Sequence, residues 1–533
     1  MAWFREETRR IKIMAQPHKP AAPAGLVLRG RIVTMDAGFN VIGHGLLIIE
    51  GNRIVHSAHA DQPLPPQFAG YTVIDTGGTI YPGLFELHNH PSYNAIPLWE
   101  VPSQFTNRNQ WRENDNYRRR VTRPASLLTH DPTSENARAV IRFVESRALL
   151  GGVTTTQGLS LYGMHSNTKA AFAGLVRNVE SPDDKTWPVA EDQIFDFKSH
   201  DQANKKYGHL LGDTRYSLLM HLSEGTDDDA RAVFEFLQRP DGSWLIDRNL
   251  IGIHGTALNA GQWATMAASG GIVWSPLSNL LLYGETTNVK AAAAEGLPIA
   301  LGSDWGPSGT KNLLGELKIA KVVSEHLGGL FADRELVRMV TSAPANMMGW
   351  GGFLGSLEIG KIADCLVIEG TSKDPWTQLI ETSETDIVAI LINGRPRAGR
   401  ATLIDPATPG VEMIRIAKQD IVLDLVETSN HPLAATTLAS AISTLSYSLE
   451  HLPDLAERFL SQHSLMAGVP DRFYVHLDTD EGYAKDLMAG TARIGPGDVD
   501  PMVLDPITEA DDDLFRERLR ANINIPEWLR SGL

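Results

Sequence analysis

Apolar positions along this chain fall into two textures. Over residues 26–57, short β-rich runs (LVLRGRIVTM, then VIGHGLLIIEGNRIVHSA) are broken by turn signals such as Gly51-Asn52, and no helix-length period appears. From Gly83 onward, buried-type apolar runs alternate with helix-like stretches. The runs are IYPGLFELHNH, GVTTTQGL, AGLVRNVE, RYSLLMHLSE, LIGIHG, GIVWSP and LPIALGSD, with PTSENARAVIRFVESRALLG, AGQWATMAASG and NVKAAAAEG between them. Repeated strand–helix alternation predicts parallel strands joined by right-handed crossovers. Over this length the natural closure is a TIM-type (β/α)8 barrel in an α/β fold.

Seven strands are evident. The eighth is expected between Glu180 and Arg215, around QIFDFKS, unless the barrel is distorted there. After the barrel, GSLEIGKIADCLVIEG and DIVAILINGRPRAGRATL return to β texture, and TTLASAISTLSYSLEHLPDLAERFLSQH has helical spacing. The predicted organisation is an N-terminal arm (1–24), a small composite β-sandwich from both flanks (25–80 and 355–405), a catalytic barrel (81–354) and a partly helical C-terminal extension (406–533). The acidic cluster Glu509 to Asp513 reads as a solvated face.

Composition narrows the function. With 533 residues the chain exceeds one ordinary core, and 42% hydrophobic with 21% charged residues is the balance of a soluble globular protein. A net charge of −16 disfavours nucleic acid and anionic membranes as partners. A small-molecule substrate remains, with room for a homo-oligomer. The single cysteine, Cys365, excludes an intramolecular disulfide and suits a reducing, cytoplasmic setting. No apolar stretch approaches the ~20 residues of a membrane-spanning helix. The first residues lack the continuous apolar stretch of a secretory signal and are expected to form an arm or to precede the true start.

Four apolar strands end in a residue suited to metal binding or proton transfer. These are HNH (His88 and His90), HLSE (His221, followed by Glu224), IHG (His254) and GSD (Asp304). Residues i and i+2 of a strand point to one side, so His88 and His90 can face one ion. With 17 histidines one HxH pair arises easily by chance, and each position has a bland reading: a histidine satisfied by backbone, or an aspartate capping a helix. The shared placement at strand ends is what points to chemistry. Histidines plus a carboxylate suit one divalent ion, Zn²⁺ first, with Fe²⁺ or Mn²⁺ also possible. Such an ion lowers the pKa of water towards ~7, and nearby carboxylates can then move protons.

These words resemble the amidohydrolase superfamily. PGLFELHNH resembles its PGLIDxHxH strand and GVTTTQ its second strand. HLSE, SPLSN (with Ser275 where that branch has Cys) and LGSDW resemble the mononuclear branch of chlorotriazine hydrolases and cyclic-amidine deaminases. LGSLEIGKIADCLVI resembles the closing strand of the family's β-domain. The resemblance implies a hydrolase that uses a metal-activated water on a C–N bond of a small cyclic substrate. It implies His88, His90, His221 and Asp304 as ligands, Glu224 as proton shuttle, His254 as a hydrogen-bonding partner of the bound water or substrate oxygen, and Asp304 as a second group taking the water's proton. Trp99, Trp111, Ser278, Asn279, Trp305 and Lys311 are candidate substrate contacts, Trp99 and Trp111 lying in an aromatic loop after HNH that could equally just pack. Two alternatives stand: a binuclear site bridged by a carboxylated Lys198, and a scaffold barrel without chemistry.

Overall fold

The computed structural model describes residues 25–131, 133–163, 166–426, 433, 435–462, 473–489 and 491–533. The N-terminal arm (1–24) lies outside the described residues.

The β-rich start folds as β1 (Leu26–Val33), β2 (Val41–Glu50), β3 (Arg53–His59) and β4 (Thr72–Pro82). The chain then supplies β5 (Leu84–Phe85), β6 (Val153–Thr156), β7 (Ser160–Gly163), β8 (Ser166–Ala171), β9 (Arg177–Asn178), β10 (Val189–Gln193), β11 (Tyr216–Leu222), β12 (Leu250–His254), β13 (Gly271–Trp274) and β14 (Ile299–Leu301). It returns to β1–β4 with β15 (Cys365–Glu369), β16 (Ile387–Ile392), β17 (Arg395–Gly399), β18 (Val411–Ile416) and β19 (Gln419–Asp424), and β20 (Phe473–Val475) comes last.

The two flanks build one nine-stranded sheet, ordered β18-β19-β17-β16-β15-β4-β1-β2-β3. β4 is the seam, parallel to β1 and antiparallel to β15. The sheet runs past residue 405, because β18 and β19 pair with each other and β19 pairs with β17.

Eight parallel strands position the site. One arc is β5-β6-β9 and the other β10-β11-β12-β13-β14. The Ala190 amide donates to Val179 O at 3.0 Å where the arcs meet on one side. On the other side the β5 and β14 extensions meet: the Asp304 amide donates to His88 O (3.1 Å) and the His90 amide to Asp304 O (2.6 Å). β11 (YSLLMHL) and β12 (LIGIH) are nearly all buried, as expected of strands covered on both faces.

The missing strand is β10, sequence VAEDQ, just ahead of the expected QIFDFKS and touching it only at Gln193. It escaped the apolar pattern because only Ala190 is buried. Its acidic residues face cations on neighbouring elements: Asp192 pairs with Lys169 (3.0 Å) and Glu191 with Lys206 (3.3 Å).

The extension packs closely on the rest of the fold. Helix Leu438–Glu450 lies against helix Glu135–Leu150 and buries Leu438, Ala441, Leu445 and Leu449. β20 pairs antiparallel with β7. Within the acidic cluster, Asp511 and Asp513 are exposed, but Asp512 is buried, which corrects the reading of that cluster as wholly solvated. No helix among the described residues is long and apolar enough to cross a membrane.

Candidate metal centre

The four strand ends converge. His88, His90, His221, His254, Asp304 and Glu224 are all at most 4% exposed. Two overlapping groups among the described residues could hold a metal ion, His88–His221–His254 and His88–His90–Asp304, each with its ligand atoms within 4.8 Å of one another. Close approach of the strands is built into the backbone. A Cβ at Gly302 would lie 2.6 Å from the His88 Cβ, so only glycine fits there. Ser223, His254 and Asp304 adopt left-handed φ of 48°, 66° and 66°. For non-glycine residues this costs on the order of 1–3 kcal/mol each and concentrates at functional sites.

Hydrogen bonds decide which ring nitrogens face inward. His88 Nδ1 lies 3.3 Å from Gln157 Oε1, which also accepts from the Asn89 amide. His221 Nδ1 lies 3.1 Å from Glu224 Oε2, and His90 Nδ1 lies 2.6 Å from Asp478 Oδ2. Each partner is an acceptor, so each Nδ1 carries the proton and each Nε2 keeps a lone pair. His88 Nε2 and His221 Nε2 are buried and make no hydrogen bond. His88 Nε2 nevertheless sits 2.9 Å from Asp304 Oδ1, and His90 Nε2 sits 3.5 Å from the same oxygen. Unpartnered lone pairs gathered around a carboxylate fit a divalent cation.

His254 differs. Asn279 Nδ2, which can only donate, lies 2.9 Å from His254 Nδ1, and the Thr287 hydroxyl donates to His254 O at 2.6 Å. The proton is therefore on His254 Nε2, which is a donor. Burial pushes the His254 pKa down to about 4, so the ring is neutral. Burial, with Arg108 nearby, also holds His221 well below its usual value. Burial opposes a charge on His90, but Asp478 and Asp304 outweigh it and raise that pKa.

Like Asp304, Glu224 is held ionised. Burial works against its charge, but His254, Arg108 and Tyr283 outweigh burial and hold its pKa below normal. The Tyr283 hydroxyl donates to Glu224 Oε1 at 2.7 Å, Arg108 Nε lies 3.5 Å from Oε2, and His254 Nε2 lies 3.8 Å from Oε2.

Residues 216–397, which include β11 to β16, match the Amidohydrolase family. Among similar proteins are two 5-methylthioadenosine/S-adenosylhomocysteine deaminases. The Symbiobacterium thermophilum protein is 23% identical over 413 residues, covering 69% of this chain and 91% of its own length. That of Syntrophobacter fumaroxidans is 23% identical over 370 residues, covering 64% and 84%. The E. coli guanine deaminase structure superposes with a TM-score of 0.53 at 19% identity, over 69% of this chain and 98% of that one, a likeness of fold.

The remaining candidates have other partners. Ser278 Oγ donates to Asp304 Oδ2 (2.5 Å) and Asn279 to His254, so both orient residues of the site. Lys311 is neither solvated nor facing the site. It is 4% exposed, and its ammonium pairs with Asp505 (2.7 Å) and Asp512 (3.0 Å) of the extension. A buried cation needs such partners, and these two carboxylates saturate it. Lys198 is exposed just before helix His200–Tyr207, unlike the buried histidines and carboxylates of the site.

The loop after HNH folds onto the parallel-strand unit through its rings. Trp305 packs on His90 (5.8 Å between centroids) and Trp111 on Trp305 (5.6 Å). The Trp111 indole donates to Tyr283 OH (2.9 Å). Trp99 is one layer further out, stacked on Phe105 and donating to Asn116. Sequence reasoning missed Gln157, Arg108, Tyr283 and Asp478. Gln157 was legible within GVTTTQ and Arg108 within the aromatic loop, whereas Tyr283 and Asp478 carried no signal.

Proposed function

We propose that this chain is a one-metal hydrolase that acts on a C–N bond of a small cyclic substrate, with deamination as the leading reaction. The observation that carries the reading is the shared tautomer of His88, His90 and His221, each with Nδ1–H bound to an outer acceptor; Nε2 of His88 and His90 lies within 3.5 Å of Asp304, and the buried His221 Nε2 makes no hydrogen bond. These three histidines and Asp304 would hold the ion, and an N₃O donor set favours Zn²⁺, with Fe²⁺ or Mn²⁺ as alternatives. Bound there, the ion supplies a Lewis acid and lowers the pKa of water towards ~7.

The chain's own groups supply the rest. Glu224, held ionised beside His221 and His254, accepts a proton and passes it to the leaving nitrogen. His254 Nε2–H donates to an oxygen on the substrate or to water. Asp304, its Oδ2 tied to Ser278, is the second acceptor. Trp111, Trp305 and Tyr283 wall the site and keep bulk water from it. In this reading the two parallel arcs close as a (β/α)8 barrel over about residues 81–354. The nine-stranded sheet, including β18 and β19, is its companion domain, and the extension begins after Asp424 rather than near residue 406. The complete donor set argues against a scaffold role, and the exposure of Lys198 against a binuclear centre.

The names of the relatives supply the first probes: 5-methylthioadenosine, S-adenosylhomocysteine and guanine. Ammonia release from one of them by zinc-loaded full-length protein, lost on chelation and in His88→Ala, is the expected result. A chain that carries no transition metal, or a His88→Ala variant with unchanged activity, overturns the reading. Metal-dependent turnover of cyclic amides without ammonia release would retain the hydrolase and remove deamination.

A further inference from the structure

His88 and His221 take their outer hydrogen bonds from the parallel-strand unit itself, from Gln157 and Glu224. His90 does not. Its Nδ1 partner is Asp478, 388 positions later and in the C-terminal extension, which lies outside the matched family segment. The contact is short, 2.6 Å, and both side chains are largely buried, at 2% and 15% exposure.

The segment around Asp478 is held on both sides. β20 pairs with β7, and the His476 amide donates to Ser160 O at 2.8 Å. Beyond Asp478, the Thr479 hydroxyl donates to Tyr93 OH (2.7 Å) and Arg112 Nε donates to Thr479 O (3.0 Å). Asp480 accepts from the phenols of Tyr93 (2.9 Å) and Tyr117 (3.0 Å). Tyr93 lies three residues after His90 and packs on Trp305, which itself packs on His90. The extension therefore holds His90 directly through Asp478 and braces its surroundings through Asp480.

We infer that Asp478 is a positioning residue for His90: its carboxylate holds Nδ1–H, turns Nε2 towards Asp304 and makes the C-terminal extension part of the metal centre. The inference rests on the metal reading above. A carboxylate on the far nitrogen of a ligating histidine fixes the ring's tautomer and orientation and raises its basicity, and loss of such a partner typically costs about 10–100-fold in metal affinity.

The test is zinc affinity of full-length protein, stripped by a chelator and titrated against a competing fluorescent chelator. Fold is followed by thermal unfolding and near-ultraviolet circular dichroism. Asp478→Ala is expected to bind zinc about 10–100-fold more weakly than wild type. Asp478→Asn is expected in between, because an amide oxygen still accepts Nδ1–H but carries no charge. Asp480→Asn, which touches Tyr93 and Tyr117 but not His90, is expected to keep wild-type zinc affinity. If Asp478→Ala does not fold, Asp478→Asn decides. Folded Asp478 variants with wild-type affinity, or an equal loss in Asp480→Asn, overturn the positioning role and leave the metal reading standing. Wild-type protein that binds no zinc overturns both.

Discussion

The Tyr283 phenol donates to Glu224 Oε1 at 2.7 Å and receives the Trp111 indole N–H at 2.9 Å. One hydroxyl thus joins the aromatic loop after HNH to the buried Glu224 carboxylate. It lies at the C-terminal end of helix Pro276–Tyr283, whose first turns carry Ser278 and Asn279. That single helix orients Asp304, His254 and Glu224.

Tyr283→Phe removes one donor from an ionised, buried carboxylate and leaves the ring. Hydrogen bonds to charged groups are worth about 1.5–3 kcal/mol. A fall in kcat of roughly 10–100-fold is expected, with zinc content unchanged, because Tyr283 touches no ligand atom. Steady-state kinetics and metal analysis on the same preparation check this.

Asn279→Asp tests the His254 tautomer. A carboxylate there accepts rather than donates, so Nδ1 takes the proton and Nε2 becomes an acceptor facing Glu224. Loss of a positioned proton donor typically costs about 10²–10⁴-fold in rate. A drop of at least about 100-fold in kcat is expected, with zinc affinity retained. An equal loss of zinc would instead make His254 a ligand.

Lys311→Met separates structure from substrate binding. It removes the cation shared by Asp505 and Asp512, although Arg147 still reaches Asp505 at 2.8 Å. Breaking a buried pair costs about 3–5 kcal/mol, and the remaining arginine places this case at the lower end. Urea denaturation should show that loss, while KM of the folded fraction stays within about twofold if no substrate contact is removed.

Glu316 gives the fold a pH dependence. It is fully buried, accepts from the Leu277 amide (3.0 Å) and the Thr310 hydroxyl (2.6 Å), and burial raises its pKa to about 8. Between its ordinary value of 4.5 and about 8, the folded chain keeps this proton and the unfolded chain loses it. The unfolded state then binds fewer protons, so this group's contribution to stability falls as pH rises through that window and levels off above it. Glu316→Gln should lack that decline and gain stability relative to wild type from pH 5 to pH 8. Denaturation midpoints at the two pH values check the sign.

The chain's own pattern determined the strands that are buried on both faces and the residues at their ends. β11, β12 and β14 are apolar runs because a parallel sheet is covered on both sides, and His221, His254 and Asp304 mark where those runs stop. Period-two spacing likewise set His88 and His90 on one side. Where burial did not govern composition, the pattern failed: β10 is polar because Lys169 and Lys206 neutralise it from neighbouring elements. Only tertiary structure decided the protonation of each ring. A tautomer is set by whichever donor or acceptor the fold brings to Nδ1, and for His90 that partner comes from the far end of the chain. The same holds for Lys311, whose buried ion pairs depend on where Asp505 and Asp512 land. Local sequence encodes which face a side chain takes, whereas its partner across hundreds of residues is chosen by packing.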